Sequence, residues 1–138
     1  MRADFHAGPT RDFSATPALA HREAYAVETT DKNSGKPVDA KTLAYRQQGF
    51  EKAQMRNWLA RIGECVVRSD TLGSQVVLAT KVATPDELAA FKVLAPALPG
   101  CLPKDVTLTF DRTSLRSTIA VNYYRLAMAA RAPTGAAR

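Results

Sequence analysis

Residues with special chemistry are scarce in this chain. Its 138 residues include only two cysteines, two histidines and one tryptophan. Two cysteines are too few for a disulfide-dense mini-scaffold or for a four-cysteine zinc site. Both histidines, His6 and His21, lie within residues 1–41, so the rest of the chain contains no histidine to activate a nucleophile. The composition therefore argues against the commonest catalytic and metal centres.

Long apolar runs are also missing. The longest stretch without a charged side chain, residues 93–103, contains three prolines, whereas a membrane-spanning helix needs about 20 apolar residues. Repeat, collagen and coiled-coil periods are absent as well. With 46% apolar and 23% charged residues, the composition is that of a globular domain and not of a disordered chain.

Motifs of known catalysts are absent too. The chain has no nucleophile elbow, no Walker loop and no dinucleotide-binding glycine pattern. Cys65 follows Glu64 and has no general base nearby in the sequence. Most acidic residues after position 41 precede predicted helices, where they act as caps, and no pair resembles a two-carboxylate hydrolase. We therefore predict no enzymatic activity, no catalytic residue, no cofactor and no metal site.

The first 41 residues differ in composition from the rest. Six basic and six acidic residues cancel there, and the few bulky apolar residues follow neither a helical nor a strand period. Residues 31–37 read DKNSGKP, which is typical of turns and linkers. We predict a flexible N-terminal arm over 1–41, a helical domain over 42–131 and a frayed tail over 132–138. Residues 42–138 then carry the net charge of +6.

Helical spacing and capping residues predict a small, mainly α domain of three to four helices. Asp39 and Asp70 are candidate N-caps for a first helix and for a short second helix. Thr84 and Glu87 form a capping-box pattern at the start of a third helix. The prolines and the glycine of residues 96–100 end that helix.

The sequence pattern of the C-terminal part predicts one short extended segment, followed by a last helix. Residues 106–110 alternate apolar and polar side chains, which is the period of a strand, but one strand cannot form a sheet alone. Asp111 or Ser114 caps the last helix. Its core face is expected to contain Leu115, Ile119, Tyr123, Leu126 and Ala130.

A second apolar stripe on the last helix predicts an interaction surface. Val121, Tyr124 and Met128 lie outside the core face, and each helix of a small bundle should leave one face to water. We expect this stripe to be exposed and used for association, or to be covered by the arm through Tyr25 and Val27. Packing of the stripe on the first helix is the remaining alternative. Tyrosine suits an interface because its ring buries a large area while its hydroxyl tolerates the rim.

The two cysteines lie at predicted helix ends. Cys65 is near the end of the first helix, and Cys101 follows the residues that end the third. Antiparallel helices between them would allow the roughly 4.4–6.8 Å Cα separation of a disulfide. On spacing alone, a disulfide and a pair of reduced thiols both stay open.

Several short segments are distinctive as a group. They read ECVVR at 64–68, PDEL at 85–88, LAPAL at 94–98, GCLP at 100–103 and LTFDR at 108–112. Together with Leu115-Arg116, Ile119-Ala120 and Tyr124-Arg125, they resemble a set of small, uncharacterised, exported two-cysteine proteins of alphaproteobacteria of the sphingomonad type, over residues of about 55–127. The resemblance implies a disulfide between Cys65 and Cys101 and a periplasmic or envelope location. It implies no activity.

No signal peptide is recognisable near the start of the sequence. Residues 18–20 read ALA, which resembles a small-residue cleavage site, and Arg2 and Arg11 provide a basic start. Residues 13–17 read FSATP, where a leader needs a stretch of roughly 7–15 apolar residues. A cytoplasmic location therefore stays as the alternative to the periplasm.

The basic charge makes nucleic-acid binding the alternative function. A net charge of +6 produces a positive field, but the arginines of the first and last predicted helices are spread around each helix, not clustered on one face. Trp58 lies in the predicted core stripe and not on an exposed stacking platform. We therefore predict a non-enzymatic envelope or periplasmic interaction or structural protein, which associates with a protein partner or with itself through the arm and the last helix.

Overall fold

The computed structural model describes residues 12–104 and 111–131. Over these residues it is mainly helical and has no β-strand. The four helices are α1 (Ala40–Ser69), α2 (Thr71–Ala79), α3 (Pro85–Leu94) and α4 (Arg112–Arg131), with 3₁₀ turns at Ala95–Ala97 and Pro99–Cys101. The prediction of a small, mainly α fold with three to four helices is confirmed. The extended segment predicted at 106–110 lies outside the described residues.

Three of the helices begin at aspartate caps that the sequence indicated. Asp39 caps α1, Asp70 caps α2 and Asp111, not Ser114, caps α4. Each carboxylate accepts a hydrogen bond from the backbone N–H of the third helical residue, at 2.7–2.8 Å. These bonds satisfy one of the N–H groups that every helix start leaves without an intrahelical partner.

The capping box of α3 differs from the expected pattern by one residue. Thr84 accepts a hydrogen bond from the Glu87 N–H at 3.2 Å, as predicted. The carboxylate of Glu87, however, accepts from the N–H of Ala83 at 3.1 Å, whereas a standard box engages the N–H of the cap residue itself. Ala83 has a left-handed φ of 62°, so the chain enters α3 through an unusual backbone conformation that this carboxylate holds.

The chain forms two compact units. Among the described residues, the larger unit contains residues 12–20, 59–104 and 111–131, and the smaller unit contains residues 21–58. Helix α1 runs through both, because its N-terminal part belongs to the smaller unit and its end, from residue 59, belongs to the larger one.

The core of the larger unit takes side chains from all four helices. The predicted core face of α4 is buried at Leu115, Ile119, Tyr123 and Leu126, whereas Ala130 is exposed. Helical spacing in the short helix α2 predicts that Leu72, Val76 and Val77 are buried. In the structure Val77 and Leu78 are buried, whereas Leu72 and Val76 are exposed. The other core side chains are Ile62, Val66 and Val67 of α1, Ala90 and Leu94 of α3, and Phe13.

The chain around Phe13 is fixed to the end of α1. Phe13 is only 2% exposed, and its ring packs edge-to-face on Tyr123 with centroids 5.6 Å apart. Arg68 donates hydrogen bonds to the carbonyl oxygens of Phe13 and Pro17, each at 2.8 Å. Glu64 accepts from Arg68 Nε at 2.9 Å. The sequence analysis missed this contact, since one phenylalanine in a segment without periodicity carries no burial signal.

The smaller unit combines a loop, a turn and the N-terminal part of α1. Thr30 and Pro37 form an isolated antiparallel bridge. Between them, the Asp31 N–H donates to the Lys36 carbonyl oxygen at 2.8 Å. Gly35 has a φ of 71°, a value that glycine adopts without strain. Residues 31–37 therefore form a turn, as their sequence predicts.

Candidate interaction surfaces

The second stripe of α4 is exposed to solvent. Val121 is 57% exposed, Tyr124 65% and Met128 49%, while the opposite face of the same helix lies in the core. Their spacing of three and four residues places all three side chains along one line of the helix. Three large apolar groups along one line form a coherent apolar strip, which is the arrangement that helix-docking partners use.

The charges of α4 are all of one sign. The helix contains four arginines and no acidic residue. Arg116 is held in the interior of the larger unit, and Arg125 donates to the carbonyl oxygen of Ala20 at 2.6 Å. Arg131 is exposed in the last turn of the helix.

The other predicted interface residues, Tyr25 and Val27, belong to the smaller unit. Tyr25 is 92% exposed, and Val27 is half-buried. Both line an open cavity of about 370 Å³. The remaining lining residues are Ala26 and Glu28 of the loop and Arg46, Gly49, Phe50 and Ala53 of α1.

A buried ion pair joins α2, α3 and α4. Arg116 Nη1 lies 2.9 Å from Glu87 Oε2 and donates to the carbonyl oxygen of Val77 at 2.9 Å. Its Nη2 group donates to the carbonyl oxygens of Thr80, at 2.8 Å, and Leu78, at 3.4 Å. The guanidinium thus binds carbonyl oxygens at the end of α2, where a positive charge is also favoured by the helix dipole. Because this buried charge is fully partnered, the cluster has the character of a structural connection and not of a reactive site.

Cys65 and Cys101 form a disulfide with an S–S distance of 2.04 Å and a Cα–Cα distance of 5.6 Å. The bond links the end of α1 to the 3₁₀ turn after α3, both within the larger unit. Ser69 Oγ lies 3.7 Å from the sulfur of Cys101. The pairing that spacing alone left open is therefore present.

A close approach between α1 and α4 is visible at Gly63. Thr118 Oγ1 donates to the carbonyl oxygen of Leu59 at 2.8 Å, and Asn122 Nδ2 donates to that of Ala60 at 3.0 Å. A Cβ atom on Gly63 would lie 2.9 Å from the Thr118 carbonyl oxygen. Glycine is typical of a helix end, yet α1 continues through Gly63 to Ser69.

Metal and membrane chemistry find no support in the part of the chain that the structure describes. There, no three or more His, Cys, Asp or Glu side chains gather closely enough to hold a metal ion. None of the helices described is both long and apolar enough to cross a bilayer. Comparisons of the chain with protein-family models, with curated proteins and with solved structures give no match.

Proposed function

We propose that this chain is a non-enzymatic interaction protein of the bacterial periplasm or envelope, which binds a protein partner or a second copy through its C-terminal helix and its N-terminal arm. The observation that carries the proposal is the exposed strip of Val121, Tyr124 and Met128 on α4. The core face of that helix is complete without them, so the strip adds nothing to the core.

The composition of the strip fits a role in association. Interface cores are enriched in aromatic residues and methionine, and Tyr124 offers a large ring whose hydroxyl stays compatible with water. A helix that is apolar on two faces buries one in its own core, and the other is available to a partner helix. Tyr25, at 92% exposure, offers a similar side chain in the arm.

The disulfide supports the proposed compartment. Disulfides persist in oxidising compartments such as the bacterial periplasm and are rare in the reducing cytosol. The bond between Cys65 and Cys101 therefore fits the periplasmic location that the resemblance implies, in preference to the cytoplasmic alternative.

Nucleic-acid binding receives less support, because several arginines are engaged within the fold. Arg68, Arg116 and Arg125 donate to main-chain carbonyl oxygens of the chain itself. Phosphate contacts need basic groups that are free and clustered on one face. Fewer basic side chains are therefore available to contact a phosphate backbone than the net charge of the chain suggests.

Two neighbouring tyrosines of α4 provide a matched test. Tyr123 is 6% exposed and Tyr124 is 65% exposed, so the same substitution probes the core at one position and the strip at the next. We expect Tyr123→Ser to lower the free energy of unfolding by about 3 kcal/mol or more, as for other buried aromatics. Tyr124→Ser should change it by less than about 0.5 kcal/mol and weaken association.

Association is measured by sedimentation equilibrium for self-association, and by photo-crosslinking in intact cells for a partner. A photoreactive residue at position 124 should give an adduct of defined mass, and one at the exposed position Lys92 of α3 serves as the control. A chain that remains monomeric and gives the same crosslinks from both positions would contradict the proposal. So would a large loss of stability in Tyr124→Ser, because the strip would then belong to the core.

A further inference from the structure

Gly49 occupies an unfavourable place that packing does not explain. It lies in the interior of α1, where glycine is the least favourable residue after proline. At Gly63 in the same helix, the close approach of α4 excludes a side chain. At Gly49, an added Cβ would meet no atom within 4 Å. The missing side chain therefore leaves open space and not a tight contact.

Gly49 lines the open cavity of the smaller unit. The cavity of about 370 Å³ falls within the roughly 300–1,000 Å³ of typical small-molecule sites. Its walls are mainly apolar, and its largest apolar side chains are Tyr25, Phe50 and Val27. Gly49 itself is one of the lining residues, so a larger residue at this position changes the wall of the cavity.

One positioned cation lies at the cavity. Arg46 is half-buried and donates from Nη1 to the carbonyl oxygen of Glu28 at 2.8 Å, which fixes its guanidinium group. Its Nε and Nη2 groups have no partner among the described residues, so they remain available as donors. The carboxylate of Glu28, which also lines the cavity, is paired with Lys32 Nζ at 3.4 Å.

We propose that this cavity binds a small monocarboxylate with an aromatic or branched aliphatic tail. The free guanidinium N–H groups of Arg46 match the two oxygens of a carboxylate, a pairing that arginine makes with good geometry. The tail lies over Gly49, between Tyr25 and Phe50. This site is distinct from the α4 strip, and the proposal goes beyond the association proposed above.

The probe is 4-phenylbutyrate, titrated into the full-length, ¹⁵N-labelled chain and followed by amide chemical shifts. We expect saturable shifts at Gly49, Phe50 and Ala53. The neutral analogue 4-phenylbutanamide should bind about tenfold more weakly or worse, because it lacks the charge-assisted hydrogen bonds to the guanidinium. Butyrate, which lacks the ring, should bind more weakly than 4-phenylbutyrate as well.

Two pairs of variants test the assignment. Gly49→Leu adds a large side chain to the wall of the cavity and should weaken binding at least about tenfold without lowering the melting temperature, because no neighbouring atom lies within 4 Å of an added Cβ. Gln48→Leu adds the same side chain at an exposed position outside the lining and should leave binding unchanged. Arg46→Gln should remove the preference for the carboxylate over the amide, and Arg46→Lys should retain part of it.

Three results would each overturn the proposal. The first is that 4-phenylbutyrate does not bind. The second is that the acid and the amide bind the parent chain equally well, and the third is that Gly49→Leu binds 4-phenylbutyrate as the parent chain does. The association proposed for α4 does not depend on any of them, since it is measured on the strip at Val121, Tyr124 and Met128.

Discussion

Single residues decide where two helices can touch in the larger unit. Gly63 allows α4 to approach α1 so closely that Thr118 and Asn122 donate hydrogen bonds to main-chain oxygens of α1. An added Cβ would lie 2.6 Å from Asn122 Nδ2 and 2.9 Å from the Thr118 carbonyl oxygen. The second neighbour belongs to the backbone, so it cannot move aside by a change of rotamer.

We therefore expect Gly63→Ala to destabilise the chain although alanine is the better helix former. Overpacking in a closed site costs about 1–3 kcal/mol. The matched control is Gly49→Ala in the same helix, which has open space around it and should gain up to about 1 kcal/mol from helix propensity. Chemical denaturation of both variants measures the difference. A Gly63→Ala chain as stable as Gly49→Ala would contradict the close approach.

Residue-level partners across the sequence were the hardest feature to predict. Arg116 read as one more surface cation of a basic helix, yet it is nearly buried beside Glu87. Its partners are the main-chain oxygens at the end of α2, which lie far away in sequence and carry no side-chain signature. Phe13 was missed for the same reason, because its neighbours belong to α1 and α4. Such contacts depend on the assembled fold and not on local pattern.

Helix starts, in contrast, were predictable because each depends on residues within one turn. The aspartates at positions 39, 70 and 111 cap the third N–H that follows them. The buried face of α2 was less predictable. Leu72, Val76, Val77 and Leu78 cover more than one side of a helix of nine residues, so the periodicity does not select a face, and contacts with α3 and α4 do.

The stability that the Asp39 cap gives to α1 is expected to depend on pH. The side-chain hydrogen bond of Thr42, and then its backbone N–H, lower the pKa of Asp39 below its usual value of 3.8. Because the folded-state pKa lies below that of the unfolded chain, the cap contributes its full stability above about pH 4. That contribution is lost as the pH falls through the folded-state pKa. Acid therefore weakens the start of α1.

We expect Thr42→Val to raise the pKa of Asp39 toward 3.8, because it removes the hydroxyl and keeps the backbone N–H. The measurement is an NMR titration of the carboxyl carbons. Asp111 is the control, since the pKa of this carboxyl is lowered chiefly by the backbone N–H of Ser114 and should not change in the variant. An unchanged pKa of Asp39 would show that Thr42 does not act through its hydroxyl.

At the scale of the whole molecule, the first helix contributes to both units, and its register changes within the smaller unit, before the division between Trp58 and Leu59. Leu43 and Phe50 lie on a different side of the first helix from Ile62 and Val66, and the register changes near Gly49. In the structure, Phe50 lines the cavity of the smaller unit, whereas Ile62 and Val66 belong to the core of the larger unit. One helix thus serves two sets of neighbours, and its periodicity differs between them. The identity of those neighbours could not be predicted, because they come from distant parts of the chain.

The disulfide is expected to dominate the stability of the larger unit. It joins residues separated by 36 positions, and closing such a loop stabilises a fold by roughly 3.5–4 kcal/mol in the chain-entropy model. Domains of this size have a total stability of about 5–15 kcal/mol. A chain that loses about a quarter or more of its stability on reduction is better suited to an oxidising compartment.

Reduction should therefore lower the melting temperature by more than about 10 °C. The control is the double variant Cys65→Ala, Cys101→Ala, which should melt near the temperature of the reduced parent and show no response to the reductant. Mass spectrometry after alkylation, without prior reduction, should find no free thiol in the parent chain, whether purified or alkylated directly in cells. A parent chain with two alkylatable thiols and a melt insensitive to reductant would contradict both the stabilising role of the disulfide and the oxidising location that we propose from it.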